Sequence, residues 1–416
     1  MYFSKYLPEF GVEPFVVTVD PEFASYKFFD KSFEQKTKGI RVYKTRSSEP
    51  FNLYSKFIGK SKSDAIPQGF TGESNPGILQ KIGRFVRGNF FIPDARIGWK
   101  KFALKQAEKI IREEGINVVV TTGPPHSSHL VGRELKIKFG MKWIADFRDP
   151  WTELFYNKLF YRTYPANWMD RKLEKQILKD TDMILTIGPS MARLLSDKLK
   201  VAGVNAKKVH FIYNGYDQEV FMNLSRTKSN SEFTICHLGI LSDNQPVDGF
   251  VEAMKIFFSS NLNLNQSVRL VLIGKISPGI LEKIRSEIPQ LLIELKDYMS
   301  HPEAMQQIKN ADLLFNSLAD VPDGKYLISG KLMEYIATGN PILCLGEEVG
   351  DAASLLNQFN DSKVLFRNNV TGIYNHIQSI YNKWKVGELK SLPGGNEEYS
   401  RFNTTKQLSV LINELI

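Results

Sequence analysis

The run Ser329-Gly330-Lys331-Leu332-Met333-Glu334-Tyr335-Ile336-Ala337-Thr338-Gly339-Asn340-Pro341 leads straight into Ile342-Leu343-Cys344-Leu345. It reads as a helix that opens on glycine, closes on Gly339 and Pro341, and delivers the chain into a short apolar strand. A helix-to-buried-strand step of this kind belongs to α/β architecture. Lys331 and Glu334 are three residues apart, so they share one face of the first turn. A helix N-terminus attracts anions through its free N–H groups and its dipole. The lysine adds a seat for a diphosphate and the glutamate an acceptor for sugar hydroxyls, a combination that suits a nucleotide-sugar. A plainer reading stands beside it: Glu334 complements the helix dipole and Lys331 is a solvated surface residue.

Outward from this stretch the same rhythm repeats. In the second half, strands are read at Phe233–Leu238, Val268–Gly274, Asp312–Phe315 and Ile342–Leu345, with helices at Val247–Phe258, Pro278–Ile288 and Pro302–Asn310. In the first half, strands are read at Phe15–Val19, Val118–Thr122, Trp143–Phe147, Met183–Ile187 and His210–Tyr213. Helices lie between them at Lys100–Glu113, Ser128–Phe139, Trp168–Lys179 and Ser190–Lys198. Alternating strands and helices imply parallel sheets. The fold class is therefore α/β, with two Rossmann-like doubly wound domains facing across a cleft between their strand ends. The boundaries are a first domain over 1–213, a linker over 214–231 marked by Asn214-Gly215 and a polar run, a second domain over 232–395, and a terminal helix over 396–416 packing back on the first domain.

At 416 residues the chain is too long for one core, and no apolar run is long enough to span a bilayer. The start Met1-Tyr2-Phe3-Ser4-Lys5-Tyr6-Leu7 lacks the core of a signal peptide. Cys236 and Cys344, both in apolar runs, read as reduced thiols of a cytoplasmic protein. No metal is expected: His126 and His129 have no third ligand in view. The net charge of +9 is lopsided: residues 1–200 carry 34 Lys and Arg against 22 Asp and Glu, the remainder 20 against 23. A basic first half suits an anionic surface: lipid headgroups, a phosphate-bearing acceptor or nucleic acid. Residues 47–98 lack a clear period. Within them Leu79 to Phe91 mixes Lys and Arg with Ile82, Phe85, Val86, Phe90 and Phe91. It reads either as an interfacial membrane helix or as a helix packed on its own domain.

Four segments together resemble the retaining GT-B glycosyltransferases of family 4, in particular the bacterial subgroup that builds surface polysaccharides. They are Thr122-Gly123-Pro124-Pro125-His126-Ser127, Ile144-Ala145-Asp146-Phe147-Arg148-Asp149-Pro150-Trp151, Ile212-Tyr213-Asn214-Gly215-Tyr216-Asp217, and Ser329 through Pro341. The resemblance implies that the first domain binds the acceptor and the second the nucleotide of the donor. It also implies transfer with retention and without a metal or other cofactor. It gives a donor set of Gly239, Lys275, Lys331 and Glu334. His126 is a candidate catalytic contact to donor sugar or acceptor, or else a loop histidine capping the helix at Ser127. Asp146 is the candidate for holding the attacking hydroxyl, with Arg148 and Asp149 on the acceptor side. The alternative for these three is a local ion pair shaping the loop. The implied partners are a nucleotide-sugar donor, a glycan or lipid-linked acceptor and the anionic inner membrane face, with nucleic acid not expected. Two other readings remain: a nucleotide-sugar epimerase of the same fold, and an inactive basic binding protein.

The chain departs from the family pattern in three places. The usual opening strand and Gly-rich loop are absent, so either a strand lies upstream or the protein is impaired. Gly239 is not followed by the family's Arg and Lys, leaving Lys275, Lys325 and Lys331. Tyr326 stands where a second glutamate is frequent.

Overall fold

The computed structural model describes residues 1–23, 39–48, 77–205, 208–227, 231–261, 268–389 and 397–416. Most of the unpatterned stretch 47–98, from 49 to 76, and part of the polar run at 228–230 lie outside the described residues. The chain divides into two compact units, Met1–Tyr213 with Phe402–Ile416, and Asn214–Arg401.

The second unit is a six-stranded sheet, parallel throughout. Its strands are β7 (Phe233–Leu238), β8 (Val268–Ile273), β9 (Leu292–Lys296), β10 (Leu313–Ser317), β11 (Ile342–Leu345) and β12 (Ser362–Leu365). Their spatial order is β12-β11-β10-β7-β8-β9. Counted from β7 this is the doubly wound order 3-2-1-4-5-6, with the direction of winding reversing between β7 and β10. Central strands are buried on both faces and so read as continuous apolar runs. That is why β7, β10 and β11 are plain in the sequence. Phe233, Ile235, Phe250, Leu272, Phe315 and Leu343 are at the heart of the core on one side of this sheet.

Residues 214–231, expected as a linker, belong to the second unit. Tyr216 N–H donates to the Tyr399 carbonyl at 2.9 Å and Arg401 N–H to the Tyr216 carbonyl at 2.8 Å. Arg226 is ion-paired to the fully buried Asp312, whose other oxygen accepts Thr234 N–H at 2.7 Å.

In the first unit β3 (Val118–Gly123), β4 (Lys142–Phe147), β5 (Met183–Thr186) and β6 (Val209–Phe211) form a four-stranded parallel sheet in that order. The strands β1 (Phe15–Val19) and β2 (Arg41–Thr45) form a separate parallel pair. One side of the larger sheet packs Ile144 and Leu185 with Leu7, Leu408 and Ile412, the last two from the terminal helix Arg401–Asn413. The other side packs Val119 with Ala103, Leu104, Val131 and Leu135.

The segment Leu79 to Phe91 is a helix, Ile78–Phe90. Its apolar stripe faces outward: Ile78 is 77% exposed, Ile82 54% and Phe90 72%, whereas Arg84 is buried at 3%. Helical spacing reveals a two-faced helix but not which face turns inward. Among the described residues no helix is long and apolar enough to cross a membrane.

Candidate functional site

The predicted donor residues converge at one end of the second sheet. Gly239 (φ +97°) follows β7 directly and Gly274 (φ +106°) follows β8, both in a backbone region that L side chains rarely adopt. Gly239 N–H donates to the Ile273 carbonyl at 2.7 Å. A Cβ placed on Gly274 would lie 2.9 Å from the Gly239 carbonyl oxygen, so the two loops touch backbone to backbone. Both lie at the carboxyl ends of strands beside the reversal of winding, where open α/β sheets hold their ligands. Lys275 continues the second loop and is exposed. Lys325 holds its ammonium 5.1 Å from the Tyr326 ring centroid.

The helix Gly330–Thr338 starts at the same corner, with Ser329 at its N-cap making no side-chain cap bond and its carbonyl accepting Leu332 N–H at 3.0 Å. Lys331 reaches back across β7. Its Nζ donates to the Ile240 carbonyl at 2.8 Å and lies 3.4 Å from His237 Nε2. His237 Nδ1 is 3.1 Å from the Phe315 carbonyl, an acceptor only, so Nδ1 carries the proton and Nε2 faces Lys331 as an acceptor. Burial first, and the Lys331 charge second, push His237 down to about 3. Burial also pulls Lys331 down to about 8. The ammonium thus has one carbonyl acceptor and reaches from the first turn of the helix to the loop after β7. The chemistry of the corner is anion binding.

Glu334 faces the opposite edge of that first turn. Its Oε1 lies 2.9 Å from His301 Nε2. His301 opens the helix His301–Lys309, which is set by a reciprocal cap in which Ser300 Oγ donates to Glu303 at 2.7 Å. Tyr335 fixes the helix from beneath: its hydroxyl accepts Leu238 N–H at 2.9 Å and donates to the Phe315 carbonyl at 3.2 Å. His237, His301 and Tyr335 were not singled out from sequence. A histidine inside the apolar run of β7 was the one available signal.

The first unit gathers its own predicted residues at the ends of β3 and β4. His126 is buried and stacked on Trp151, with centroids 4.7 Å apart and 8° between planes. Burial drives it down to about 3, offset in part by the Pro150 carbonyl, and neither ring nitrogen completes a hydrogen bond. It does not cap the following helix Ser127–Phe139. Asp94 does, accepting Ser127 N–H at 2.8 Å and Ser127 Oγ at 3.0 Å. Behind it His129 stacks on Phe147 at 4.5 Å and meets Thr121 Oγ1 at 2.9 Å. Trp143 Nε1 donates to that same hydroxyl at 2.8 Å.

Asp146 is 1% exposed. It accepts Arg148 Nε at 2.8 Å and Thr122 Oγ1 at 3.2 Å. Burial raises its carboxyl and the Arg148 charge opposes this. The local ion pair is thus present, and Arg148 is held with its guanidinium 5.2 Å from the Phe3 ring centroid. Asp149, next along, is pushed up to about 6 by burial. Among the described residues no group of three or more His, Cys, Asp or Glu is placed to hold a metal ion. Both cysteines are free and buried.

Residues 67–220 match the family described as Glycosyltransferase Family 4. Solved structures similar to the chain include the lipopolysaccharide outer core galactosyltransferase WaaB (TM-score 0.52, 13% identity, 93% of this chain and 88% of that one). They also include Anabaena HepE in complex with UDP (0.51, 12%, 75% and 82%). A third is the N-terminal domain of Candida albicans trehalose-6-phosphate phosphatase (0.59, 14%, 97% and 89%). The fold is GT-B. No curated protein sequence matches the chain.

Proposed function

We propose that the chain moves a hexosyl group from a nucleotide-sugar to a glycan or lipid-linked acceptor, with retention, in the synthesis of a cell-surface polysaccharide. The observation that carries this reading is the corner built by Gly239, Gly274 and the start of helix Gly330–Thr338, where Lys331 lies against Gly239 and Glu334 meets His301 on the other edge. A nucleoside diphosphate gains negative charge as the bond to the sugar breaks. A fixed cation and oriented N–H groups aimed at it lower that barrier. Glu334 takes the ribose hydroxyls and Lys331 the diphosphate. The UDP held by HepE, a protein of the same fold, supports the choice of ligand.

In the first unit Arg148 and Asp149 orient the acceptor. Asp146, being buried, acts by positioning Arg148. His126 presents a neutral ring against the reacting sugar. The outward stripe of helix Ile78–Phe90 and the basic first half support a peripheral station on the cytoplasmic face of an anionic membrane.

The test is UDP binding by calorimetry, followed by turnover with a panel of nucleotide-sugars, comparing Glu334→Ala with the parent. Equal UDP affinity in both removes Glu334 from the donor site. Absence of UDP, GDP and ADP binding in the parent discards the reading.

A further inference from the structure

Helix Tyr164–Asp180 buries two carboxylates, Asp170 and Glu174, which stand four residues apart and so share a face. Each grips one of two successive residues in the loop that follows β4. Asp170 Oδ1 accepts Trp151 Nε1 at 2.9 Å, and Glu174 Oε2 accepts Thr152 Oγ1 at 2.7 Å. Each is also matched by a cation. Arg162 bonds to Asp170 Oδ2 through Nη1 and to the Pro93 carbonyl through Nη2 at 3.1 Å, and Lys198 reaches Glu174 Oε1 at 2.7 Å. The loop held in this way is the one that carries Arg148 and Asp149.

The Trp151 indole has one polar atom, a donor only, so its bond to Asp170 decides which way the ring turns. The backbone of Trp151 is held separately, its carbonyl accepting Asn157 Nδ2 at 2.9 Å. His126 depends on that ring. Among the described residues neither of its nitrogens completes a hydrogen bond, so packing orients the imidazole. Phe147 and His129 lie 6.0 and 5.8 Å away and are tilted by 35° and 36°. Trp151 lies at 4.7 Å and 8°, and is the flat wall against which the imidazole rests.

We infer, on the reading of His126 given above, that Asp170 is a positioning residue for the first-unit site: by fixing the Trp151 indole it sets the plane in which His126 presents its ring to the reacting sugar. A buried ion pair adds little stability over apolar residues of similar volume, because the cost of desolvating two charges offsets their attraction. What Asp170 and Arg162 supply is direction. A carboxylate locked by a guanidinium at one oxygen offers the other at a single place. One hydrogen bond and one ring stack then span the path from Asp170 to His126.

The test compares two double variants of the whole chain. Asp170→Asn with Arg162→Met removes both charges and keeps an acceptor for Trp151. Asp170→Leu with Arg162→Met removes the acceptor as well. The ring-proton signals of His126, shifted by the indole beneath them and assigned by their loss in His126→Phe, report the stack without any substrate. Release of UDP from UDP-glucose and from UDP-N-acetylglucosamine gives kcat, and UDP titration gives Kd. The leucine pair is expected to lose the shift and about 100-fold in kcat, the cost of displacing a positioned group by about 1 Å, with its Kd for UDP unchanged. The asparagine pair is expected to restore both the shift and kcat. A leucine pair that keeps the shift overturns the inference, as does one that loses the shift and keeps kcat. Equal losses in the two pairs also overturn it, since the charges then serve the fold alone. A parent inactive toward both sugars counts against the proposed function, and the shift alone then decides for or against Asp170. Should the leucine pair fail to fold, Trp151→Phe takes its place: it keeps a ring beside His126 but has no N–H for Asp170, and is expected to move the shift and lower kcat likewise.

Discussion

Replacing Lys331 by methionine should make the protein more stable and less able to hold a nucleotide, and pH should separate the two effects. Burial lowers Lys331 from an ordinary 10.5 to about 8. Below pH 8 both folded and unfolded chains carry the proton, so the full cost of the buried charge is present. Between 8 and 10.5 the unfolded chain binds more protons than the folded one, so stability rises with pH. Above 10.5 neither is charged and the cost is gone. The interval is worth about 3 kcal/mol at 1.36 kcal/mol per pH unit.

Methionine keeps the aliphatic stem but forfeits the bond to the Ile240 carbonyl, worth about 1 to 2 kcal/mol. Ile240 itself is exposed, so water can take over that bond. The net gain at pH 7 is about 1 to 2 kcal/mol, or about 2 to 8 °C in the melting temperature of a unit this size. It should fall as pH rises and turn into a loss of about 1 to 2 kcal/mol by pH 10.5, where only the missing bond to Ile240 remains. Affinity for UDP runs the other way: in the parent it falls as pH rises through 8, and in Lys331→Met it is low and flat. Urea melts and calorimetric UDP titrations at pH 7, 9 and 10.5 measure both. A variant no more stable than the parent at pH 7, or a parent whose UDP affinity is constant to pH 10, refutes the reasoning.

Glu334→Gln should weaken UDP binding by about 10- to 100-fold, the worth of a charge-assisted hydrogen bond, with His301→Ala costing less; titration at pH 7.5 reads both. Gly274→Ala forces a side chain into a left-handed backbone against the Gly239 carbonyl, and should cost about 2 kcal/mol in urea melts while lowering UDP affinity. His126→Phe keeps the stack on Trp151 and removes a ring whose folded value, about 3, lies far below 6.5. The parent loses stability as pH falls below 6.5, because only its unfolded form takes up the proton. The variant should therefore be favoured by about 3 kcal/mol more at pH 4 than at pH 7. Arg226→Met strands the buried Asp312 carboxylate and should cost about 3 to 5 kcal/mol, seen as a lowered unfolding midpoint of the second unit.

The parts of this molecule that could be read from its letters are those whose pattern is local. Continuous apolar runs announced β3, β4, β7, β10 and β11. Glycine and proline closed the helix that carries Lys331 and Glu334, but three-residue spacing did not show that Lys331 reaches Ile240 while Glu334 turns to His301. Edge strands were harder. β2 (Arg41–Thr45), β9 (Leu292–Lys296) and β12 (Ser362–Leu365) carry charge and expose part of their surface, so they passed as loops. Partnerships between distant residues were not legible at all. Nothing in the sequence pairs Glu334 with His301, Asp94 with Ser127, or His126 with Trp151, since folding alone makes them neighbours. Nor could the spacing in Ile78–Phe90 say that Arg84 points inward and Ile78 and Ile82 outward.

The Tyr335 hydroxyl bonds to the end of β7 and to β10 at once, and this has a mechanical consequence. The helix above it is pinned one turn from its mouth. Sliding the helix along its axis would break both bonds of that phenol at once. One aromatic ring thereby ties the helix to the neighbouring strands β7 and β10 together.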